Sequence, residues 1–347
     1  MEQEHKRRVR YKGTHPRSYR EKYKELDPEK YQQDVDKIIQ SGKTPAGMHI
    51  PICVNEILEF LDIQPGQIGL DATLGYGGHS RKMLERLQGQ GHLYATDVDP
   101  IESEKTRTRL EKAGYGPEIL TIRRMNFAQV DQVAPGVRFD FVLADLGVSS
   151  MQIDNPERGF TFKQDGPLDL RLDPTSGEPA CQRLRALNRE EIAAMLVENS
   201  DEPYAEEIAR AILQKRRKRQ PIETTRQLAE TVEEALAFLP QKERKEAVKK
   251  SCQRTFQALR IDVNSEFEVL YSFLEKLPTV LKPGGKVAVL TFHSGEDRLV
   301  KKSFQALARQ GIYSEVAKEV IRPSAQECFQ NPRAKSTKMR WAIRAEE

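Results

Sequence analysis

The sequence predicts an α/β fold, a mostly parallel, doubly wound sheet interrupted by a helical insertion. Three observations predict it. Apolar runs of four to seven residues alternate with helical patterns between residues 68 and 145, the spacing of βαβ units. Three of these runs end in an acid, Asp71, Asp97 and Asp145, so the carboxylates should gather at one rim, beyond the carboxyl ends of the strands. After residue 150 the alternation gives way to helix-period patterns, and it resumes near residue 256.

The elements follow in order. Val54, Leu58 and Leu61 recur at helical spacing over 53–61, and Pro65-Gly66 ends that unit. Ile68–Asp71 is the first strand. A glycine-dense turn, Gly75-Tyr76-Gly77-Gly78, leads into a helix at 80–87. The second strand is His92–Asp97. A helix at 100–113 opens on Pro100, a favoured first helical position. Strands at Ile119–Arg123 and Phe139–Asp145 complete the half. A loop rich in Gly, Asp and Pro runs to about 180. Asn188 with Glu191 forms a capping box for a helix to about 198. Pro203 opens a helix bearing Tyr204, Ile208 and Ile212 on one face, and another starts at Thr225. A long helix within 255–282 leads to the strand Lys286–Phe292 and then to His293-Ser294. The division expected is a basic extension at 1–45, a sheet domain at 46–150 and 256–347, and a helical insertion at 151–255.

Of the 347 residues, 38% are hydrophobic and 31% charged, and no apolar run approaches the ~20 residues of a membrane helix. No apolar signal core opens the chain, so a cytoplasmic location is expected. Cys53, Cys181, Cys252 and Cys328 lie far apart without a C-x-x-C pair, so no metal site and no disulfide framework is suggested. The net charge of +4 is uneven: residues 1–25 hold nine Lys/Arg against four Glu, and the last 17 hold five against two. Basic arms of this kind meet phosphate backbones or simply face solvent. The run Lys215–Arg219 offers the same two readings, as a helix C-terminus or a phosphate contact.

The glycine turn brings backbone close to a ligand. It lacks both G-x-G-x-x-G and G-K-[ST]. Read as acid-x-x-x-Gly-x-Gly, it resembles the S-adenosylmethionine loop of Rossmann-like methyltransferases. Asp97 follows Gly75 by 22 residues, near the ~20 expected of an acid that holds ribose hydroxyls. Asp145 stands where a transferred methyl would sit. Methyl transfer to a weak amine needs alignment and an acceptor for the amine hydrogen. Asp145 fits that catalytic role, and equally a cap or a cofactor contact. Arg158-Gly159-Phe160 and Asp169-Leu170-Arg171 open the insertion, and an Arg beside an aromatic can clamp a base or pack within its own loop.

Taken together, Asp71–Ser80, Asp145–Ser150, Arg158-Gly159-Phe160, Gly166–Arg171, Phe256–Ile261, Phe292-His293-Ser294 and Asn331–Ser336 resemble the motif set of the RsmH (MraW) family of 16S rRNA (cytosine-N4)-methyltransferases. The resemblance covers about residues 47–345. It implies a class I S-adenosylmethionine-dependent fold and methylation of the N4 amine of a decoding-centre cytidine, cytidine 1402 in common rRNA numbering. It implies cofactor contacts from Gly77, Gly78, His79, Asp97, Phe127, Asp145 and Gln152, with Phe127 beside adenine and Gln152 near the amino-acid end. It implies substrate contacts from the insertion and its surroundings, at Arg158, Phe160, Asp169, Arg171 and His293, and 16S rRNA in the small ribosomal subunit as partner. A homodimer is compatible with the helical surfaces.

Two features depart from the family pattern. Gly295 stands where the family usually has Leu, and the basic arm is longer than the usual N-terminus; together they suggest a second, divergent branch. Two other readings stay open on the residues alone. One is a nicotinamide-linked dehydrogenase on the same kind of sheet. The other is a non-enzymatic RNA-binding assembly factor.

Overall fold

The computed structural model describes residues 51–346. The basic arm, with the short helix expected around 28–40 and its interleaved tyrosines, lies outside the described residues.

Seven strands form one sheet in the order β3-β2-β1-β4-β5-β7-β6. These are β1 (Ile68–Asp71), β2 (His92–Asp97), β3 (Leu120–Arg124), β4 (Phe139–Asp145), β5 (Leu281–Thr291), β6 (Tyr313–Val316) and β7 (Lys338–Arg344). The first five are parallel, whereas β7 runs antiparallel to both β5 and β6. This is a doubly wound sheet with an antiparallel edge. Strand order reverses beside β1, which pairs with β2 on one side and β4 on the other, and ligands bind beyond the strands at such a switch point.

Period-two alternation divides the sheet's side chains between two cores. From β4, Phe141 and Leu143 face one layer together with Leu93, Ala95 and Ile122. That layer is closed by the helices α1 (Val54–Leu61), α2 (Gly78–Leu87) and α3 (Pro100–Lys112), through Ile57, Leu61, Met83, Leu84, Leu87 and Leu110. Val142 and Ala144 face the other layer with Leu70, Val287 and Val289. There the cover comes from Leu270, Phe273, Leu274, Leu277, Val300 and Phe304.

A third core lies within the insertion. Its helices are α4 (Ser150–Asp154), α5 (Ala180–Ala186), α6 (Arg189–Ser200), α7 (Ala205–Arg217), α8 (Thr225–Ala235) and α9 (Gln241–Val263). The capping box of Asn188 and Glu191 forms, and Thr224 with Gln227 builds a second one for α8. Ile192, Leu196, Ile208, Ile212, Leu228 and Val232 interlock at helical spacing.

Three expectations need correction here. Position 255 falls inside α9, and Cys252, Phe256 and Leu259 of that helix all belong to the insertion core. The single long helix within 255–282 is two, α9 and α10 (Glu266–Val280), separated by Ser265 in the left-handed region at φ 48°. Strand β5 begins at Leu281 rather than Lys286, with a register shift opposite Phe139–Phe141. The chain ends with α11 (Ser294–Arg309), β6, α12 (Ala325–Gln330) and β7.

Gly69 in β1 is required by packing. A Cβ there would stand 2.0 Å from the Phe141 ring. Gly69→Ala should therefore destabilise the protein by roughly 1–3 kcal/mol through overpacking. A lowered urea midpoint with an unchanged m-value is the expected reading; an unshifted midpoint would contradict it.

Candidate functional site

The acids at the ends of β1, β2 and β4 meet at one rim, each in a different hydrogen-bonding setting. Asp71 is buried and accepts from Ser80 Oγ at 2.6 Å and from the Thr73 N–H at 3.1 Å. Burial raises its pKa against those hydrogen bonds.

Asp97 accepts from the Gly75 N–H through Oδ2 and the Asp99 N–H through Oδ1, both at 2.8 Å. Burial pushes its carboxyl up to about 6, against the pull of these two donors. The turn that supplies Gly75 is pinned from behind: the Leu74 N–H donates to the Thr96 carbonyl, and Thr106 Oγ1 donates to the Gly75 carbonyl. Gly77 caps α2 at φ 81°, where a Cβ would stand 2.6 Å from Thr106 Cγ2. A side chain there would meet both strain and a clash. Gly78 lies under the Pro51 ring, 3.1 Å from where its Cβ would be.

His79, in the first turn of α2, joins this turn to Asp145. Its Nε2 is 2.9 Å from the Ile52 carbonyl and its Nδ1 is 3.4 Å from Asp145 Oδ2. Burial opposes its charge. The Asp145 carboxylate, the Ile52 carbonyl and Asp71 outweigh burial and raise its pKa. The Asp145 N–H donates to Thr73 Oγ1. Asp145 Oδ1 is buried and has no hydrogen-bond partner among the described residues.

Asp99 was not anticipated from sequence, and it is the most connected acid of the rim. Its side chain is fully buried. Oδ1 caps α3 by accepting from the Ile101 and Glu102 N–H groups. Oδ2 accepts from Gln152 Nε2 at 2.9 Å and Arg158 Nη1 at 2.7 Å. Gln152 also accepts the Ser149 N–H, which closes a capping box at α4. The Asp-Val-Asp-Pro run at 97–100 was the available signal, since an acid before Pro reads as a helix cap. Its second role depends on residues 53 and 59 positions away.

Of the two readings of 158–171, the structure shows the contacts of packing within the loop. Arg158 is buried, and besides Asp99 it donates to the carbonyls of Arg171 and Leu172. Phe160 is buried in the insertion core. Asp169 and Arg171 bind one another through two parallel contacts of 2.7 and 2.8 Å. Arg158 and Phe160 are buried within the loop, whereas Asp169 and Arg171 are half-buried and paired with each other. Leu170 between them is buried at φ 64°, and Asn264 holds the loop by bonding the Leu170 carbonyl and the Leu172 N–H.

Phe127 begins a 3-10 turn, Phe127–Gln132, and packs edge-on against Phe273 at 5.2 Å. His293 caps α11 beyond β5, the strand beside β4. Its Nε2 lies 3.2 Å from Glu296 Oε1, and Glu266 closes the same cluster while holding Arg260. Gly295 has a packing reason: a Cβ would stand 2.6 Å from Phe267 Cζ, so the Phe267 ring occupies the space that a larger residue at 295 would need.

With this geometry in hand, the comparisons with known proteins are specific. The MraW methylase family matches residues 46–345. The chain is 66% identical over 342 residues to "Ribosomal RNA small subunit methyltransferase H 1" of Lachnoclostridium phytofermentans, covering 98% of this chain and 93% of that one. It is 62% identical over 345 residues to "Ribosomal RNA small subunit methyltransferase H 2" of Alkaliphilus metalliredigens, covering 99% of each. Against "Ribosomal RNA small subunit methyltransferase H" of Thioalkalivibrio sulfidiphilus the identity is 43% over 325 residues, covering 88% of this chain and 99% of that one. The two numbered relatives match nearly the whole chain, whereas the unnumbered one is exhausted while part of this chain remains.

Two predictions follow from the rim. Asp99→Ala would strand the buried Arg158 guanidinium, so a loss of about 3–5 kcal/mol is expected in denaturant unfolding; a loss below 1 kcal/mol would remove the hub. The folded protein holds the Asp97 proton more tightly than the unfolded chain, whose value is near 3.8. Its stabilising contribution is therefore full below pH 3.8 and is lost as pH rises through about 6. Asp97→Asn should remove that component, so wild-type and variant urea midpoints should diverge with pH between 4 and 7. Parallel curves would overturn the assignment.

Proposed function

The chain belongs to the MraW methylase family, and from that premise we propose that it methylates the exocyclic N4 amine of a cytidine in the decoding centre of 16S rRNA. The names of its relatives support small-subunit rRNA as the substrate. The observation that carries the amine reading is Asp145 Oδ1 at the end of β4, beside the glycine turn, which is buried and has no hydrogen-bond partner among the described residues.

The protein is a methyltransferase that uses S-adenosylmethionine. The rim fits that cofactor: a backbone turn kept free of side chains at Gly75, Gly77 and Gly78, a strand-end acid at Asp97, and an unsatisfied oxygen at Asp145. Gly77, Gly78 and His79 would hold the methionine part, Asp97 the ribose hydroxyls, and Phe127 the adenine. Gln152 would act near the amino-acid end, although in this structure its amide is already engaged with Asp99 and Ser149. When bound, the cofactor supplies a methyl group made electrophilic by its sulfonium.

The chain's own residues do the remaining work. Asp145 Oδ1 accepts an N4–H hydrogen, which orients the nitrogen and draws electron density onto it. His79 compensates the charge of Asp145 at Oδ2, so the carboxylate keeps its orientation. Burial of His79 and of Asp145 Oδ1 strengthens these interactions by keeping water away. Arg158, Asp169 and Arg171 shape the loop over the site and act as positioning residues. His293 lies beyond the end of β5 and is proposed to face the substrate. The family membership displaces the dehydrogenase reading, and the intact turn and acids favour an active enzyme over a scaffold.

Labelled methyl transfer from S-adenosylmethionine to small-subunit rRNA, mapped by mass spectrometry, tests this. The expected product is N4-methylcytidine at a decoding-centre position; a methyl found elsewhere, or none, would sink the reading. Asp145→Asn should lower the single-turnover rate by about a hundredfold, and an unchanged rate would remove Asp145 from the chemistry.

A further inference from the structure

Phe329 is 87% exposed, more than any other large apolar side chain described. It sits on α12, none of whose residues is buried. Helix α12 belongs to an excursion over 322–338 that leaves the sheet at the bridge between Ile321 and Met339. Two contacts tie this excursion to the site. The Cys53 N–H donates to Glu327 Oε1 at 2.9 Å, next to Ile52, whose carbonyl holds His79. Arg333 donates to Asp154 at 2.9 Å, at the end of the helix that carries Gln152. Phe329 lies in sequence between these two anchors, two residues after Glu327 and four before Arg333.

The surrounding charge is one-sided. The excursion carries Arg322, Arg333, Lys335 and Lys338 against a single acid, Glu327. Arg333 is paired with Asp154 and Lys338 with Asp297, whereas Arg322 and Lys335 are exposed and enter no ion pair among the described residues.

We infer that Phe329 is a stacking platform for a nucleotide flanking the methylated base, with Arg322 and Lys335 on the adjoining phosphates. The inference rests on the rRNA reading above and adds a contact outside the methyl-transfer site. A lone exposed ring among cations matches the pattern of single-stranded RNA surfaces, where bases stack on aromatic rings and cations track the backbone. A protein interface would instead present a contiguous apolar centre depleted of Lys.

The test uses the full-length protein and a fluorescent single-stranded RNA oligonucleotide spanning the target cytidine, with methyl transfer to small subunits measured in parallel. Phe329→Ala should weaken RNA binding about tenfold and raise KM to match, with kcat and S-adenosylmethionine affinity unchanged. Phe329→Trp should restore both. Replacing Arg322 and Lys335 together by Ala should reduce the slope of log affinity against log salt by about 1.4, the value for two single-strand phosphates. Unchanged RNA affinity in Phe329→Ala would overturn the inference, and a changed sedimentation coefficient beside it would assign the ring to a protein contact. Wild-type protein that binds the RNA without methylating N4 would overturn the reaction proposed above, while the Phe329 variants would still decide the stacking contact by affinity.

Discussion

Four carboxylates crowd one rim of the sheet, and burying them together is the constraint from which the site follows. Like charges in a medium poorer than water must each find donors or give up their charge. Asp71 takes Ser80 and the Thr73 N–H. Asp97 takes two backbone N–H groups, one from the glycine turn. Asp99 takes a helix start, an amide and a guanidinium. Asp145 takes His79 on one oxygen, and the other has no partner among the described residues. The donors come from α2, the glycine turn and the insertion, so satisfying the acids also fixes the segments that surround the ligand.

Asp99 gives the insertion its place on the sheet. A buried ion pair adds little net stability when it forms, but it strongly penalises any arrangement that separates its partners. Arg158 makes this pair while donating to the carbonyls of Arg171 and Leu172. The loop therefore cannot slide without unpairing a guanidinium. Leu170 pays a local backbone strain at φ 64° and is held by Asn264 from the end of α9. The side chains at 158–171 are thus tied into the loop and to Asp99.

Local patterns were legible in the sequence, and long-range pairings were not. The bounds of β2 and β4 are those read from their apolar runs, and the three strand-end acids meet as expected. The capping box at Asn188 could be read because it spans four residues. Asp99 reads as a cap for the same reason, while its bond to Arg158 spans 59 positions and leaves no local trace. The break between α9 and α10 was hidden because Ser265 adopts a left-handed conformation with neither Gly nor Pro to announce it. Strand β6 has four residues, and in β7 beside it Arg340 is buried against Asp297. A charged residue in such a strand masks the apolar alternation that would have revealed it.

The departure at Gly295 bears on how this chain differs within its family. A missing side chain would ordinarily leave a cavity, yet the Phe267 ring fills the position. The exchange moves bulk from α11 to α10 behind His293, whose ring lies 5.9 Å from that of Phe267. The glycine turn, Asp97 and Asp145 take no part in this repacking, because their contacts come from α2, α3 and the loop after β1. The Gly295–Phe267 contact therefore shapes the wall at His293 and leaves the hydrogen bonds of Asp97 and Asp145 untouched.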